Sequence, residues 1–485
     1  MQKKNYTKER SVSVSINAYY KDSMENLEIY QRLIQYWSII FDRREDIHVL
    51  DNMNFNINLF PEIFTRTEIA NLHPVEPGYT SPDGYTEMQE LIRALELARL
   101  HQHAPNRKEI TKNLVSHAGV GCGNGCTNVM NGVINSILKL KQEEGMTSKP
   151  EVILILPNYT VYTAQLSNLQ GKVNPRYVYA KRENNFLPTC AEIQNAISAT
   201  TAAVVITYPN NPAQSTYEGD NVQELKKIVD LCQANEIFLV VDNIYQDLVF
   251  PRERKFTEIF NLTDRLDYVV KIYGCSKDTP FYSGYRTGYW FGDPRLSEKY
   301  KYMISSTENS LNTHSLIYFA LNLYFKYKTI VKEEPTLQDM RFFTQGLFGW
   351  SQSVNEEQLF KKMSELDLFQ KYQLRIKTSN DIQKEALKRV VEFVSQSNVF
   401  TDYMNEQIGN VFFIKMNPEL CNGNDDDFFK KLFYEAKCGV LPGNVFGIPQ
   451  QSNEIWFRIT LIHDQVDNII QYLSEIEEIY TRQRV

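Results

Sequence analysis

Between Glu151 and Gly274 the chain repeats one pattern: a short apolar run rich in β-branched residues, then a polar or helical stretch. The runs are EVILIL, TAAVVIT, IFLVVD and YVVKIYG. Strands that read as apolar along their length are buried on both faces, as in a parallel sheet covered by helices. Between the second and third runs, NVQELKKIVDLCQANE sets Val222, Leu225, Ile228, Val229 and Cys232 on one stripe opposite a charged face. This is a βαβ unit, and it sets the fold class as α/β: a large domain whose mostly parallel sheet is sandwiched by helices.

The flanks follow the same logic. Upstream, GNGCTNVMNGVINSILKLKQ starts with glycines and continues with Met130, Val133, Ile134, Ile137 and Leu138 on one stripe, so a glycine-rich turn opens a helix at about Cys126. From about Asp293 to Val394 helical segments dominate, among them ELDLFQKYQ and DIQKEALKRVVEFV. They predict a connecting helix and a helical insertion. The C-terminal stretch mixes strands, NVFFIKM and EIWFRITLI, with a closing amphipathic helix, VDNIIQYLSEIEEIY. It predicts a second, smaller α/β domain. The expected division is an N-terminal segment at 1–55 packing on the small domain, a large domain at 56–300, helices at 301–390 and a small domain at 391–485. NGNDDD, at Asn422–Asp427, reads as an exposed loop and helix start.

Charge and cysteine usage remove whole function classes. With 52 Lys plus Arg against 59 Asp plus Glu, the net charge of -7 leaves no basic excess to hold nucleic acid. The seven cysteines are scattered without paired CxxC spacing, which points to reduced thiols in a cytoplasmic protein and to no zinc site. No apolar run of signal-peptide length follows the basic start. SLIYFALNLYF, the most apolar helical stretch, falls far short of the roughly 20 residues a membrane span needs, so it is expected to be a core helix.

Four separated segments carry candidate chemistry, and each alone has a bland reading. YPNNP at Tyr208–Pro212 follows a strand, where Pro and Asn are ordinary turn residues. In VVDNIYQDL, Asp242 ends a strand with Tyr245 three residues on. Ligands bind at such strand ends in open parallel sheets, though aspartates also cap helices there. YGCSKDTPFYSGYRTGYWFG puts Lys277 just past a strand and Arg286 in a glycine-flanked loop, where a lone lysine is most simply a solvated charge. EIWFRITL buries Arg458 in an apolar strand, where an unpaired charge is costly, so a carboxylate partner is required, from substrate or from protein.

Taken in this order, these segments resemble the class I/II aminotransferases, the fold-type I enzymes dependent on pyridoxal 5′-phosphate (PLP). YTSPDGYTEMQEL, GNGCT, PNYTVY and CGVLPGNVFG extend the resemblance, which runs from about Asn58 to the C-terminus apart from the helical stretch near 325–380. It implies that Lys277 forms a Schiff base with the cofactor and shuttles the α-proton. Asp242 pairs with the ring nitrogen, while Asn211 and Tyr245 donate to the phenolic oxygen. Tyr159 stacks on the ring. Gly125, Cys126 and Thr127 hold the phosphate at a helix N-terminus, with Ser276 and Arg286. Tyr79 reaches the phosphate of a neighbouring subunit, which implies a homodimer with shared sites. Arg458, with Asn211, grips the α-carboxylate of an amino or keto acid.

The pattern also departs from that family. Gly274 stands where a serine three residues before the lysine contributes to phosphate binding, the loop to Arg286 is one residue longer, Ala213-Gln214 replaces Thr-Gly, and Phe60-Pro61 replaces a glycine of the N-terminal substrate strand. Transamination of an L-amino acid and 2-oxo acid pair is the first reading. A PLP lyase, cyclase, decarboxylase or oxidase of specialised metabolism stands as the second, because fold does not fix which bond breaks. The intact Lys277, Asp242, Tyr245 and Arg458 argue against a non-catalytic binding protein. GVGCGNG lacks the third glycine of a dinucleotide loop, and no GxxxxGK[ST] is present. His101 and His103 in HQHAPNRK read as surface residues.

Overall fold

The computed structural model describes residues 28–42, 47–51, 53, 80–169, 171–248, 256–280, 282–343, 355–404, 409–420, 424–449 and 454–482. Strand β1 (His48–Val49) runs parallel to β11 (Cys438–Gly439). The large sheet holds seven strands: β2 (Gly119–Gly123), β3 (Glu151–Leu156), β4 (Asn174–Tyr179), β5 (Thr201–Thr207), β6 (Phe238–Asp242), β7 (Val269–Tyr273) and β8 (Gly288–Gly292). Their spatial order is β2-β8-β7-β6-β5-β3-β4, and β8 alone runs against the rest. Every residue of β5, β6 and β7 is buried, as the apolar runs require. At about 1.5–3 kcal/mol per fully buried large aliphatic side chain, these strands are a main source of stability.

The Cys126–Glu143 and Val222–Ala234 helices form where the periodicity places them, as does a long core helix at Thr313–Val331. Two details correct the sequence reading. ELDLFQKYQ is not one helix: the chain turns at Asp367, φ 51°, and a single helix then runs from Leu368 to Gln396, absorbing DIQKEALKRVVEFV. In NGNDDD, Asn424 caps the Asp425–Lys431 helix by accepting from the amides of Asp426 and Asp427, but Asp425 and Asp426 are buried rather than exposed. The helix's first turn faces inward, where the Tyr36 hydroxyl donates to Asp426 at 2.5 Å.

A second, antiparallel sheet is ordered β12-β13-β10-β9, from Leu441–Pro442, Trp456–Thr460, Val411–Met416 and Phe400–Tyr403. It shares one core with Ala386, Leu387, Val390 and Val394 of the long helix and with the Val466–Thr481 helix. Its other face packs Phe413 and Trp456 against Tyr36, Ile39 and Ile40 of the Ile29–Asp42 helix. Among the described residues no helix is long and apolar enough to cross a membrane.

Candidate functional site

The carboxyl ends of the parallel strands converge on one region. Asp242 is the last residue of β6, Asn211 lies four residues beyond β5, Tyr159 three beyond β3, and Lys277 four beyond β7. Loops leaving strand ends on one edge of a parallel sheet meet there because each strand must hand its chain to a covering helix. From the second sheet, β13 brings in Arg458, opposite Phe413 of β10 and Leu441 of β12.

The electrostatics bind these groups together. Lys277 is half-buried, and burial, helped by the charges of Arg458 and Arg286, pulls its amine down to about 8, against the pull of Asp51. Burial pushes Asp242 up to about 6, against the Tyr162 hydroxyl, which donates to Oδ2 at 2.6 Å, the Ile244 amide, which donates to Oδ1 at 3.1 Å, and the charge of Lys277. Burial likewise raises Tyr245, whose phenol lies in the field of Arg458, Asp242 and Tyr159. Tyr159 meets Tyr162 edge-on, centroids 5.4 Å apart. The site thus holds a nucleophilic amine poised near neutral pH beside an acid and aromatic rings.

An anion cradle lies next to them. Gly125 adopts φ 90° as N-cap of the Cys126–Glu143 helix, and no side chain caps that end. A Cβ on Gly125 would stand 2.7 Å from Arg286 Nη2, so only glycine lets the guanidinium lie against the helix start. Unpaired amides, the helix dipole and a fixed cation suit a phosphate. Thr127 is half-buried in the first turn, its carbonyl accepting from Gln165 Nε2 at 2.6 Å. Ser276 is half-buried in the turn beside Lys277, while Asn410 Nδ2 donates to the Lys277 carbonyl at 3.1 Å. The Gly274 departure has a local counterpart: a Cβ there would stand 2.8 Å from Cys126 Sγ and 2.7 Å from the Thr287 carbonyl oxygen. The Cys126 thiol fills the space a serine at 274 would need.

Arg458 has the required carboxylate partner, and it belongs to the protein. Its Nε and Nη2 donate to Asp51 at 3.0 and 2.9 Å, Nη1 donates to Asn211 Oδ1 at 3.0 Å, and the group lies 4.6 Å from the Phe446 ring centre. Asp51 and Tyr162 are the residues the sequence reading missed. Arg458 announced the need for an acid, but no spacing links positions 407 residues apart. Tyr79 and Phe60-Pro61 lie outside the described residues. His103 is not a plain surface residue: it contacts the Phe256 ring edge-on and burial lowers it. Among the described residues no group of three metal-ligating side chains occurs.

Residues 54–341 match the family "Aminotransferase class I and II". The chain is 31% identical to an aspartate aminotransferase of Bacillus subtilis over 68% of its own length and 72% of the relative's. In fold it is similar to the crystal structure of an aspartate aminotransferase from Thermotoga maritima, with TM-score 0.64 and 20% identity over 95% of this chain and 98% of that one. An aminotransferase from Escherichia coli gives TM-score 0.67 at 16% identity over 95% and 98%. The sheet order, the strand-end site and the sequence match over more than half of the chain agree: this protein belongs to the class I and II aminotransferases, PLP-dependent transferases of nitrogenous groups.

Proposed function

We propose that this aminotransferase exchanges the amino group of an L-amino acid with a 2-oxo acid, using PLP held at Lys277. The observation that carries the reading is the amine of Lys277, held down at about 8 and sharing one strand-end site with the buried acid Asp242. The residues fit the cofactor: the Gly125 cradle, which a Cβ would fill, takes a phosphate, and Asp242 offers an anion to a ring nitrogen. When bound, PLP supplies an aldehyde for amines to condense with and a ring that withdraws electrons from the substrate Cα.

The protein does the rest. Gly125, Cys126, Thr127, Ser276 and Arg286 anchor the phosphate. Asp242, oriented by Tyr162, would hold a protonated ring nitrogen, Asn211 and Tyr245 would donate to the phenolic oxygen, and Tyr159 would stack on the ring. Lys277, its amine lowered to about 8, would hold the cofactor and could act as the base that takes the substrate's α-proton. Arg458 holds the substrate carboxylate. The resemblance to the family would have Tyr79 of a second copy reach the phosphate, which makes a homodimer the expected working form. The division into segments 1–55, 56–300, 301–390 and 391–485 belongs to this reading, supported by two sheets with separate cores.

The test compares wild type with Lys277→Ala, each given PLP, by absorbance and borohydride trapping. An amino-acid panel is then assayed for keto acid, ammonia, carbon dioxide and peroxide. Wild type alone should gain a borohydride-reducible band and release keto acid stoichiometric with the amino group retained. Ammonia, carbon dioxide or peroxide as the main product would reject transamination in favour of a lyase, decarboxylase or oxidase, and no band would reject the cofactor assignment.

A further inference from the structure

The fork of Arg458 is already filled by a carboxylate. Asp51 is 0% exposed and Arg458 5% exposed, and both oxygens of Asp51 are used, one on Nε and one on Nη2. With Asn211 on Nη1, every nitrogen of the guanidinium has a protein partner, and the two hydrogens left over belong to Nη1 and Nη2. Asp51 is also fixed from behind. The Leu50 amide donates to the Gly439 carbonyl at 2.9 Å, and the Thr460 amide donates to the Leu50 carbonyl at 2.8 Å, stitching this segment to β11 and the end of β13. Burial raises the Asp51 carboxyl against the pull of Arg458 and Lys277, and the pair sits within the field of Lys277.

An incoming carboxylate therefore has two options. It can take the remaining edge of Arg458 beside the charge of Asp51, or it can displace Asp51 from the fork. Both cost affinity, because a buried acid already draws on the cation the newcomer needs. Resting on the reading that Arg458 receives the substrate carboxylate, we propose that Asp51 is a specificity-determining residue: an internal carboxylate that competes with the substrate's for Arg458. A carboxylate alone then secures little binding. Only a substrate whose amine and side chain add contacts of their own is held, and simple carboxylic acids, which every cell contains, are poor inhibitors.

The test uses the PLP-loaded enzyme and propionate, a carboxylate with no amine, titrated by calorimetry and by competition with the amino-acid substrate. Asp51→Asn keeps the shape and removes the charge; Asp51→Ser removes the charge with a smaller side chain. Both should bind propionate about tenfold or more tightly than wild type, with KM for the amino acid falling, and Arg458→Gln added to either should erase the gain. Wild type itself should bind propionate no better than tens of millimolar, so submillimolar binding there overturns the proposal whether or not the variants fold. Unchanged or weaker propionate binding in the Asp51 variants, with Arg458→Gln alone still raising KM, would mean that Asp51 merely orients the arginine; the proposal fails and the assignment of Arg458 stands. If Arg458→Gln changes neither KM nor propionate binding, both fail.

Discussion

Restoring serine at position 274 tests the packing beneath the phosphate cradle. In relatives a hydroxyl there helps hold the phosphate, so Gly274→Ser looks like a repair. The local geometry says otherwise. A Cβ at 274 would stand 2.7 Å from the Thr287 carbonyl oxygen, 2.8 Å from Cys126 Sγ and 3.4 Å from Gly288 Cα. Contacts under 3 Å cannot persist, and two of these three neighbours are backbone, so the strand end or the first turn of the Cys126–Glu143 helix must move. Overpacking of this kind costs about 1–3 kcal/mol, which for a domain of this size lowers the melting temperature by about 2–6 °C. Cys126→Ala takes away the sulfur but leaves the carbonyl contact, so the double variant should recover part of the loss, with a coupling of about 1 kcal/mol. Thermal melts of the four proteins, with PLP affinity measured alongside, decide it. A Gly274→Ser protein that melts with wild type and binds PLP more tightly would show that the pocket has room and that the exchange with Cys126 is not steric.

Three further outcomes follow from the charges. Lys277 at about 8 is about one tenth neutral at pH 7 and nine tenths at pH 9, so PLP capture by cofactor-free protein should rise about tenfold over that interval and then level; stopped-flow absorbance showing a rise that continues past pH 10 would mean an unperturbed lysine. Asp242, raised to about 6 by burial, binds its proton more tightly folded than unfolded, so its contribution is favourable below about pH 4 and is lost as pH climbs through 6. Asp242→Asn should therefore raise the melting temperature of the cofactor-free protein at pH 7.5, by the equivalent of about 1–3 kcal/mol, with the gap closing at pH 4, while PLP-dependent activity collapses; equal gaps at both pH values would refute the assignment. Lys326→Met leaves the half-buried Asp247 and the buried Asp278 without their shared cation and should cost about 3–5 kcal/mol in urea unfolding at pH 7, less at pH 5, because burial raises Asp278 and a protonated acid needs no partner; a cost under 1 kcal/mol at both pH values would contradict it.

What the sequence disclosed depended on whether a signal was local. The four apolar runs and the βαβ helix are local patterns, and β3, β5, β6 and β7 lie where they predict. Strand β2 was hidden, because GVGCG has the composition of a turn. It is a strand since β8 places Trp290 against it: a Cβ on Gly121 would stand 2.6 Å from Trp290 Nε1 and 2.8 Å from the Tyr300 ring. No rule of strand propensity records such tertiary demand. The strand-end placement of Asp242 and Lys277 was legible from the apolar runs that precede them, but Asp51 and Tyr162 depend on contacts between distant segments. One signal went unused. Lys271 interrupts YVVKIYG as Arg458 interrupts EIWFRITL, and the same reasoning would have required buried acids for it; they are Glu96 at 2.7 Å and Glu258 at 3.0 Å.

Those acids belong to a network that bears on Lys277. Arg99 pairs with Glu96 and Asp247, and Lys326 with Asp247 and Asp278, so three cations, Arg99, Lys271 and Lys326, meet four carboxyls. Asp278 is the residue after Lys277, yet it turns away from the site into the core, where the Tyr273 hydroxyl donates to it at 2.8 Å. The acid nearest in sequence is therefore spent on Lys326, and the amine of Lys277 is left to burial and to the opposing charges of Arg458 and Asp51. Were Asp278 turned toward the site, its charge would lift Lys277 back toward the ordinary lysine value and store the proton the reaction must move. The buried network thus does more than join β7 to the Thr86–His103 and Thr313–Val331 helices: it keeps one carboxylate occupied, so that the amine of Lys277 beside it stays lowered to about 8.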